Sequence, residues 1–172
     1  MVDNIPKISD LGSAKRVTSD TSDSPYIVSK YYRAPELIFG ADYGPSVDIW
    51  GILPLLLTLL AIGVMMYEFC FLELPFKAKT EGLQLYRIFQ VLGSPEDEVI
   101  ERFKRDCPFE VTFWDSFKGF EGDWEFQERI QAVDPSGKFY DLLSQIWSYS
   151  PEERPTAEQV LKHPFFTDEE LG

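Results

Sequence analysis

The longest run of residues without a charged side chain, Ile49 to Tyr67, constrains the fold of this chain more than any other feature. An apolar run of 19 residues is stable only where it is removed from water, either inside a protein core or across a bilayer. A helix of about 20 residues is long enough to span a bilayer. Pro54 interrupts the run, and its flanking residues, Asp48 and Glu68, are acidic rather than basic, which argues against a membrane helix. We therefore expect a helix buried in a protein core, with a membrane span as the less favoured alternative.

The sequence after this run predicts short amphipathic helices. Thr156 and Gln159 have the spacing of a capping box, which predicts a last helix that ends near His163. Residues 106–134 show no helical period and are predicted to be irregular. The fold class is therefore predicted to be mainly α, with a short strand just before Asp10. Apolar residues at helical spacing form three stripes: Leu85, Ile88, Phe89 and Leu92; Val99, Ile100 and Phe103; Phe139, Leu142, Leu143, Ile146 and Trp147.

Composition narrows the range of partners. The chain has 172 residues, enough for one domain with a core, and its 29 acidic and 16 basic residues give a net charge of -13. This charge disfavours nucleic acid and anionic membranes and favours a basic protein surface as partner. With two cysteines and no secretory signal before Asp10, we expect an intracellular location, in the cytoplasm or the nucleus or both. We expect the single histidine, His163, to be structural.

Two short motifs enclose a polar loop. Asp10-Leu11-Gly12 precedes the loop, Ala34-Pro35-Glu36 ends it, and residues 13–33 between them are rich in Asp, Ser, Thr and Lys. Either motif alone is common by chance. In this order, with Tyr26 between them, they are typical of the two ends of a protein kinase activation segment.

The chain accordingly resembles the catalytic domain of eukaryotic protein kinases of the CMGC group, and is most similar to glycogen synthase kinase 3 (shaggy-like). The resemblance implies a partial kinase domain at residues 1–166, with the activation segment at 10–36, the helical C-terminal lobe at 37–166 and an acidic tail at 167–172. It is weakest over residues 106–134. The segments that carry it are Lys7–Lys15, Tyr26–Ala41, Val47–Trp50, Gln84–Leu85, Val91–Pro95, Arg154–Ala157 and His163–Phe166.

The resemblance assigns roles to residues of the first segment. Asp10 would hold the magnesium ion that bridges the phosphates of ATP. Lys15 would help to bind a phosphate already present on the substrate, or it is a solvated loop lysine. Tyr26 would be the activation-loop phosphosite, and Arg33 or Lys30 would bind its phosphate.

The resemblance also implies a substrate-facing wall and its anchor. Ser29, Lys30, Tyr31, Tyr32 and Arg33 would face the substrate residue that follows the phosphoacceptor. Glu36 and Arg154 would form a buried, structural ion pair that ties this loop to the helical lobe. Asp48 would support the catalytic loop from its helix, or it is a solvated carboxylate at a helix start.

Two departures from the family pattern stand out. Leu11 replaces the usual phenylalanine beside the magnesium aspartate. Family members continue directly from the positions of Gly51-Ile52 into that of Gly63, so about residues 53–62 are predicted to be an insertion. Ten extra helical residues would rotate the following face by about 80°, so the insertion would bulge out or displace the helix.

The resemblance implies a serine/threonine kinase that uses Mg-ATP to phosphorylate protein substrates. The 172 residues contain no glycine-rich loop, nucleotide-binding lysine or catalytic-loop aspartate, so we expect this chain to be a truncated C-terminal lobe, inactive without an N-terminal lobe. The alternative is a non-catalytic interaction module that binds substrates or scaffold proteins. Binding of Mg-ATP would distinguish the two hypotheses.

Overall fold

The computed structural model describes residues 30–50, 63–106 and 118–167. The predicted strand before Asp10 and the predicted insertion at residues 53–62 lie outside the described residues, and the division of the chain into segments stays a prediction. Within the described ranges every regular element is a helix, which confirms the predicted mainly α fold class. The elements are a 3-10 turn at Lys30–Tyr32 and helices α1 (Pro35–Phe39), α2 (Ser46–Trp50), α3 (Gly63–Phe71), α4 (Glu81–Leu92), α5 (Asp97–Asp106), α6 (Trp124–Val133), α7 (Lys138–Ile146), α8 (Ala157–Leu161) and α9 (Pro164–Thr167).

Aromatic rings from five parts of the chain form the centre of the core. Trp50 of α2 stacks on Phe76, with ring centroids 5.6 Å apart, and Phe76 meets the edge of Trp147 at 5.0 Å. Tyr67 of α3 stacks on Phe126 of α6 at 4.9 Å. All five side chains are buried, so this cluster fixes α2, α3 and α6 against the end of α7.

The predicted apolar stripes face this core. The members of the α4 and α7 stripes are buried, apart from Leu92, which is partly exposed. Thr156 and Gln159 form the predicted capping box: the Thr156 N–H donates to Gln159 Oε1 (2.7 Å), and the Gln159 N–H donates to Thr156 Oγ1 (3.3 Å). These elements follow from local sequence because each combines one apolar face with a defined end.

The prediction that residues 106–134 are irregular is wrong over Trp124–Val133, which form α6; residues 107–117 lie outside the described residues. The Asp123 carboxylate caps this helix by accepting hydrogen bonds from the backbone N–H groups of Glu125 and Phe126. Phe126 and Ile130, four residues apart, are buried against the core. Among the side chains of α6 that the structure describes, only Phe126 and Ile130 are buried, and a pattern of two residues is too short to stand out from the acidic sequence around it.

The two ends of the uncharged run belong to α2 and α3, and the residues between them, 51–62, lie outside the described part. Ile49, Trp50, Val64 and Tyr67 are all buried. A Cβ atom on Gly63 would lie 2.4 Å from Trp147 Nε1, so α3 begins in close contact with the end of α7. Among the described helices, none is long and apolar enough to cross a membrane.

Candidate functional site

The segment from Lys30 to Glu36 runs from the 3-10 turn directly into α1. The Arg33 N–H donates to the Lys30 carbonyl (3.2 Å), which closes the turn. Ala34 is extended, and Pro35 occupies the first helical position, where its fixed φ suits a helix start. We call residues 30–36 the anchored segment, because three sets of contacts hold it on the helical lobe.

The first contact is an ion pair between Glu36 and Arg154, which are 118 residues apart in the chain. The Arg154 guanidinium donates to both carboxylate oxygens of Glu36, at 2.5 and 2.7 Å. The side chain of Arg154 is 0% exposed and that of Glu36 is 3% exposed, so water solvates neither charge and each depends on the other. Arg154 also donates to the carbonyls of Ser148 (2.9 Å) and Ser46 (3.2 Å) and lies over the Trp50 ring. This single arginine therefore joins α1 to the start of α2 and to the turn that follows α7.

The second set of contacts comes from α4. Gln84 is fully buried, and its Nε2 donates to the Lys30 carbonyl at 2.7 Å. One turn earlier, Glu81 accepts a hydrogen bond from Arg33 Nη1 at 2.7 Å. Helix α4 thus holds both ends of the 3-10 turn, through a buried amide at one end and an ion pair at the other.

The third contact comes from α3. The Tyr32 hydroxyl donates to Glu68 Oε2 at 2.7 Å. Burial raises the pKa of Tyr32 to about 12, and the hydrogen bond and negative charge of Glu68 add to the shift. Tyr32 therefore keeps its proton at neutral pH and stays a donor to α3.

Asp48 lies in the first turn of α2 and is only partly exposed. Burial raises the pKa of its carboxyl group from 3.8 to about 6. None of the residues that the structure describes donates a hydrogen bond to this carboxylate or pairs with it. Half-buried carboxylates in proteins usually have a hydrogen-bond donor or a cation as partner, and the described residues provide neither for Asp48.

The structure brings together six of the predicted site residues: Lys30, Tyr31, Tyr32, Arg33, Glu36 and Arg154. The other four predicted residues, Asp10, Lys15, Tyr26 and Ser29, lie outside the described residues. The sequence did not single out Glu68 and Glu81 as partners of the anchored segment. Gln84 did carry a signal, because a polar residue on the buried side of an amphipathic helix needs a buried partner.

Neither a metal site nor a histidine free for acid-base catalysis is found in the described part of the chain. No group of three or more His, Cys, Asp or Glu side chains there could hold a metal ion. Both ring nitrogens of His163 are occupied: Nδ1 accepts a hydrogen bond from the Phe165 N–H (3.2 Å), and Nε2 lies 2.9 Å from Asp141 Oδ2. This histidine fastens the start of α9 to α7.

A helical lobe that fastens an extended segment through a buried Glu–Arg pair, with that segment following an Asp-Leu-Gly motif, defines the class of protein kinase C-terminal lobes. A family model described as "Protein kinase domain" matches residues 1–166. The chain belongs to the protein kinase domain family.

Relatives with curated names agree with the predicted likeness to the CMGC kinases, which is confirmed. Glycogen synthase kinase 3 of Trypanosoma brucei brucei is 32% identical over 168 residues, covering 94% of this chain and 41% of that protein. Cyclin-dependent kinase F-3 of Oryza sativa subsp. japonica is 32% identical over 173 residues, covering 96% of this chain and 35% of that protein. The chain therefore spans well under half the length of these relatives.

A solved structure shows the same fold. The crystal structure of the yeast RNA Pol II CTD kinase CTDK-1 complex contains a chain that superposes with a TM-score of 0.71. The match is 24% identical and covers 94% of this chain and 49% of that chain. The helical arrangement described above is therefore shared with a chain of that kinase complex.

Proposed function

We propose that this chain supplies the substrate-binding helical lobe of a kinase that transfers phosphate from ATP to serine or threonine in proteins. Membership of the protein kinase family supports the reaction class. A further relative, serine/threonine-protein kinase srb10 of Schizosaccharomyces pombe, is 31% identical and covers 96% of this chain and 46% of that protein. The observation that carries the proposal is the anchored segment, held by Glu36–Arg154 and by α4.

In this function Ser29 to Arg33 form the wall that faces the substrate residue after the phosphoacceptor. The reaction depends mainly on positioning and electrostatic stabilisation, because the protein does little covalent chemistry. A wall fixed at the Lys30 carbonyl, Tyr32 and Arg33 would hold the phosphoacceptor at a constant distance from the nucleotide. Glu36 and Arg154 act as positioning residues and do not touch the substrate.

The cofactor in this proposal is Mg-ATP, and Asp10 would be its magnesium ligand. Carboxylate oxygen suits magnesium, which is a hard cation. Asp10 lies outside the described residues, so the assignment rests on the resemblance of its motif. Asp48, whose half-buried carboxylate has no partner in the described ranges, would support the catalytic loop of the complete domain.

Two regulatory assignments are part of the proposal. Tyr26 would be phosphorylated, and Lys15 would contact a phosphate on the substrate. A phosphate on Tyr26 that reached Arg33 would have to compete with Glu81, which already accepts a hydrogen bond from that guanidinium at 2.7 Å. Phosphorylation would therefore exchange one partner of Arg33 for another.

A phosphotransfer assay tests the proposed function. The full-length protein that contains these residues is incubated with radiolabelled Mg-ATP and a mixture of serine, threonine and tyrosine peptides. We expect label on serine and threonine peptides, loss of labelling with Asp10→Ala, and unchanged labelling with Asp42→Ala, which replaces an exposed aspartate in the loop after α1. Absence of labelling, or equal labelling by Asp10→Ala, would contradict the proposal.

The second candidate function is a non-catalytic module that binds protein substrates or scaffold proteins. The described lobe supports it because its substrate-facing segment is held by contacts within the lobe itself. For a purified polypeptide of these 172 residues, we expect no Mg-ATP-dependent rise in melting temperature and no peptide phosphorylation. Peptide turnover by this polypeptide would contradict that expectation.

The proposal also covers partners and location. Protein substrates or scaffold proteins are the expected partners, and the net charge of -13 disfavours nucleic acid. An intracellular location, in the cytoplasm or nucleus, fits ATP-dependent phosphorylation. Fractionation of cells that express the tagged full-length protein would test it.

A further inference from the structure

Three lysines lie together beside the anchored segment. Lys30 donates a hydrogen bond from Nζ to the backbone carbonyl of Lys79. Lys77 precedes Lys79 by two residues in the loop between α3 and α4, so their Cα atoms are at most about 7 Å apart. We call Lys30, Lys77 and Lys79 the lysine strip.

The lysine strip contrasts with the rest of this acidic surface. Lys77 and Lys79 are exposed, and neither forms an ion pair with any residue in the part of the chain that the structure describes. Five other cations each have a carboxylate within hydrogen-bonding distance: Arg33 with Glu81, Lys104 with Glu101, Arg129 with Glu73, Arg154 with Glu36 and Lys162 with Glu158. In a chain with a net charge of -13, two neighbouring lysines without a carboxylate partner among the described residues make a local positive region.

Two carboxylates contact the anchored segment beside the strip, and they do not cancel its three positive charges. Glu81 is already paired with Arg33, whereas Glu68 accepts a hydrogen bond from the neutral Tyr32 and keeps its single negative charge. Helix α4 begins at Glu81, two residues after Lys79, and the partial positive charge at a helix start adds to the field of the lysines. The lysine strip therefore presents positive charge along the edge of the anchored segment.

The structure assigns to the lysine strip the binding of a stretch of acidic side chains, aspartate and glutamate, in the protein substrate. The assignment of that stretch to a substrate rests on the proposed function, whereas the binding itself does not. Single exposed ammonium–carboxylate contacts are weak, so recognition needs several carboxylates close together. A short acidic stretch is favoured over nucleic acid, because nucleic acid brings a negative charge with every nucleotide and is repelled more strongly by a chain with a net charge of -13.

Binding of labelled peptides to the full-length protein without nucleotide tests the inference. One peptide carries four glutamates around a central serine, and its partner carries four glutamines at the same positions. We expect the glutamate peptide to bind about tenfold more tightly by fluorescence anisotropy, and the difference to shrink in about 0.3 M salt.

Matched variants locate the site. The double variant Lys77→Gln/Lys79→Gln is expected to abolish most of the tenfold preference, and Lys77→Arg/Lys79→Arg is expected to retain it. The control is Lys118→Gln/Lys162→Gln, which removes the same charge elsewhere and leaves the preference unchanged. Because all four lysines lie on the surface, each variant is expected to unfold at the wild-type urea concentration.

The outcomes separate the two proposals. Equal binding of the glutamate and glutamine peptides, or the same loss in the control variant, would overturn the lysine strip as an acidic-peptide site. Tight binding of a phosphoserine peptide alone would also overturn it, in favour of a phosphate site. Binding of the glutamate peptide in a protein that never phosphorylates any peptide would support the strip and contradict only the proposed kinase function.

Discussion

Removing the charge of Glu36 tests how the anchored segment is held. Glu36→Gln keeps the size of the side chain but leaves the buried Arg154 guanidinium without a counter-ion. The wild-type pair makes two short hydrogen bonds, at 2.5 and 2.7 Å, between side chains that are 0% and 3% exposed. Removing one partner of a buried ion pair lowers the free energy of unfolding by about 3–5 kcal/mol. This is a large fraction of the total free energy of unfolding of a domain, which is about 5–15 kcal/mol.

The assay is urea unfolding followed by tryptophan fluorescence, since Trp50 lies against the Arg154 guanidinium with 5.0 Å between the cation and the ring. The matched control is Glu158→Gln, which breaks the ion pair with Lys162, whose side chains are 78% and 72% exposed. We expect this control to lower the free energy of unfolding by less than about 0.5 kcal/mol. The double variant Glu36→Gln/Arg154→Met should cost less than the sum of its single variants, because it leaves no unpaired charge. A loss of less than about 1 kcal/mol in Glu36→Gln would refute the reasoning.

Three further predictions concern stability. Burial raises the pKa of Asp48 from 3.8 to about 6, so its favourable contribution is complete below about pH 3.8 and is lost as the pH rises through 6. Asp48→Asn should therefore raise the free energy of unfolding by about 1–2 kcal/mol at pH 7 and leave it unchanged near pH 3.5; a destabilised variant at pH 7 would contradict this. Leu72 follows α3 with φ of 55° and is 90% exposed, so Leu72→Gly should raise stability by about 1 kcal/mol in urea unfolding, and a lower midpoint would count against a left-handed backbone there. Gly63→Ala should lower stability by about 1–3 kcal/mol, because its Cβ would lie 2.4 Å from Trp147 Nε1; a neutral result would mean that α3 does not start against α7.

Local sequence patterns predicted the helices that have a wide apolar face and a marked end. Helix α7 shows this, since Phe139, Leu142, Leu143 and Ile146 are all buried. The same reasoning missed α6, in which Phe126 and Ile130 are the buried members among the described side chains and Asp123 caps the first turn. Such a helix is stabilised mainly by packing against its neighbours in the fold. Its apolar pattern contains too few residues to be recognised from the sequence alone.

The candidate site was reached by a different route. Residues 30–36, with Arg154, were singled out by motif resemblance, because ion pairs between residues 118 apart have no local signature. The partners on α3 and α4 were not foreseen, since Glu68 and Glu81 are ordinary acidic residues in a chain with 29 of them. Only the folded arrangement shows which carboxylates turn toward the anchored segment.

The central claim is that the anchored segment faces a protein substrate. Its most direct measurement places a photoreactive phenylalanine derivative at the position of Tyr31 in the full-length protein and maps crosslinks to a bound serine peptide by mass spectrometry. Tyr86, exposed on α4, receives the same derivative as a control. The account predicts crosslinks from position 31 to the peptide residue after the phosphoacceptor and none to that residue from position 86. Crosslinks to that residue from position 86, with none from position 31, would contradict it.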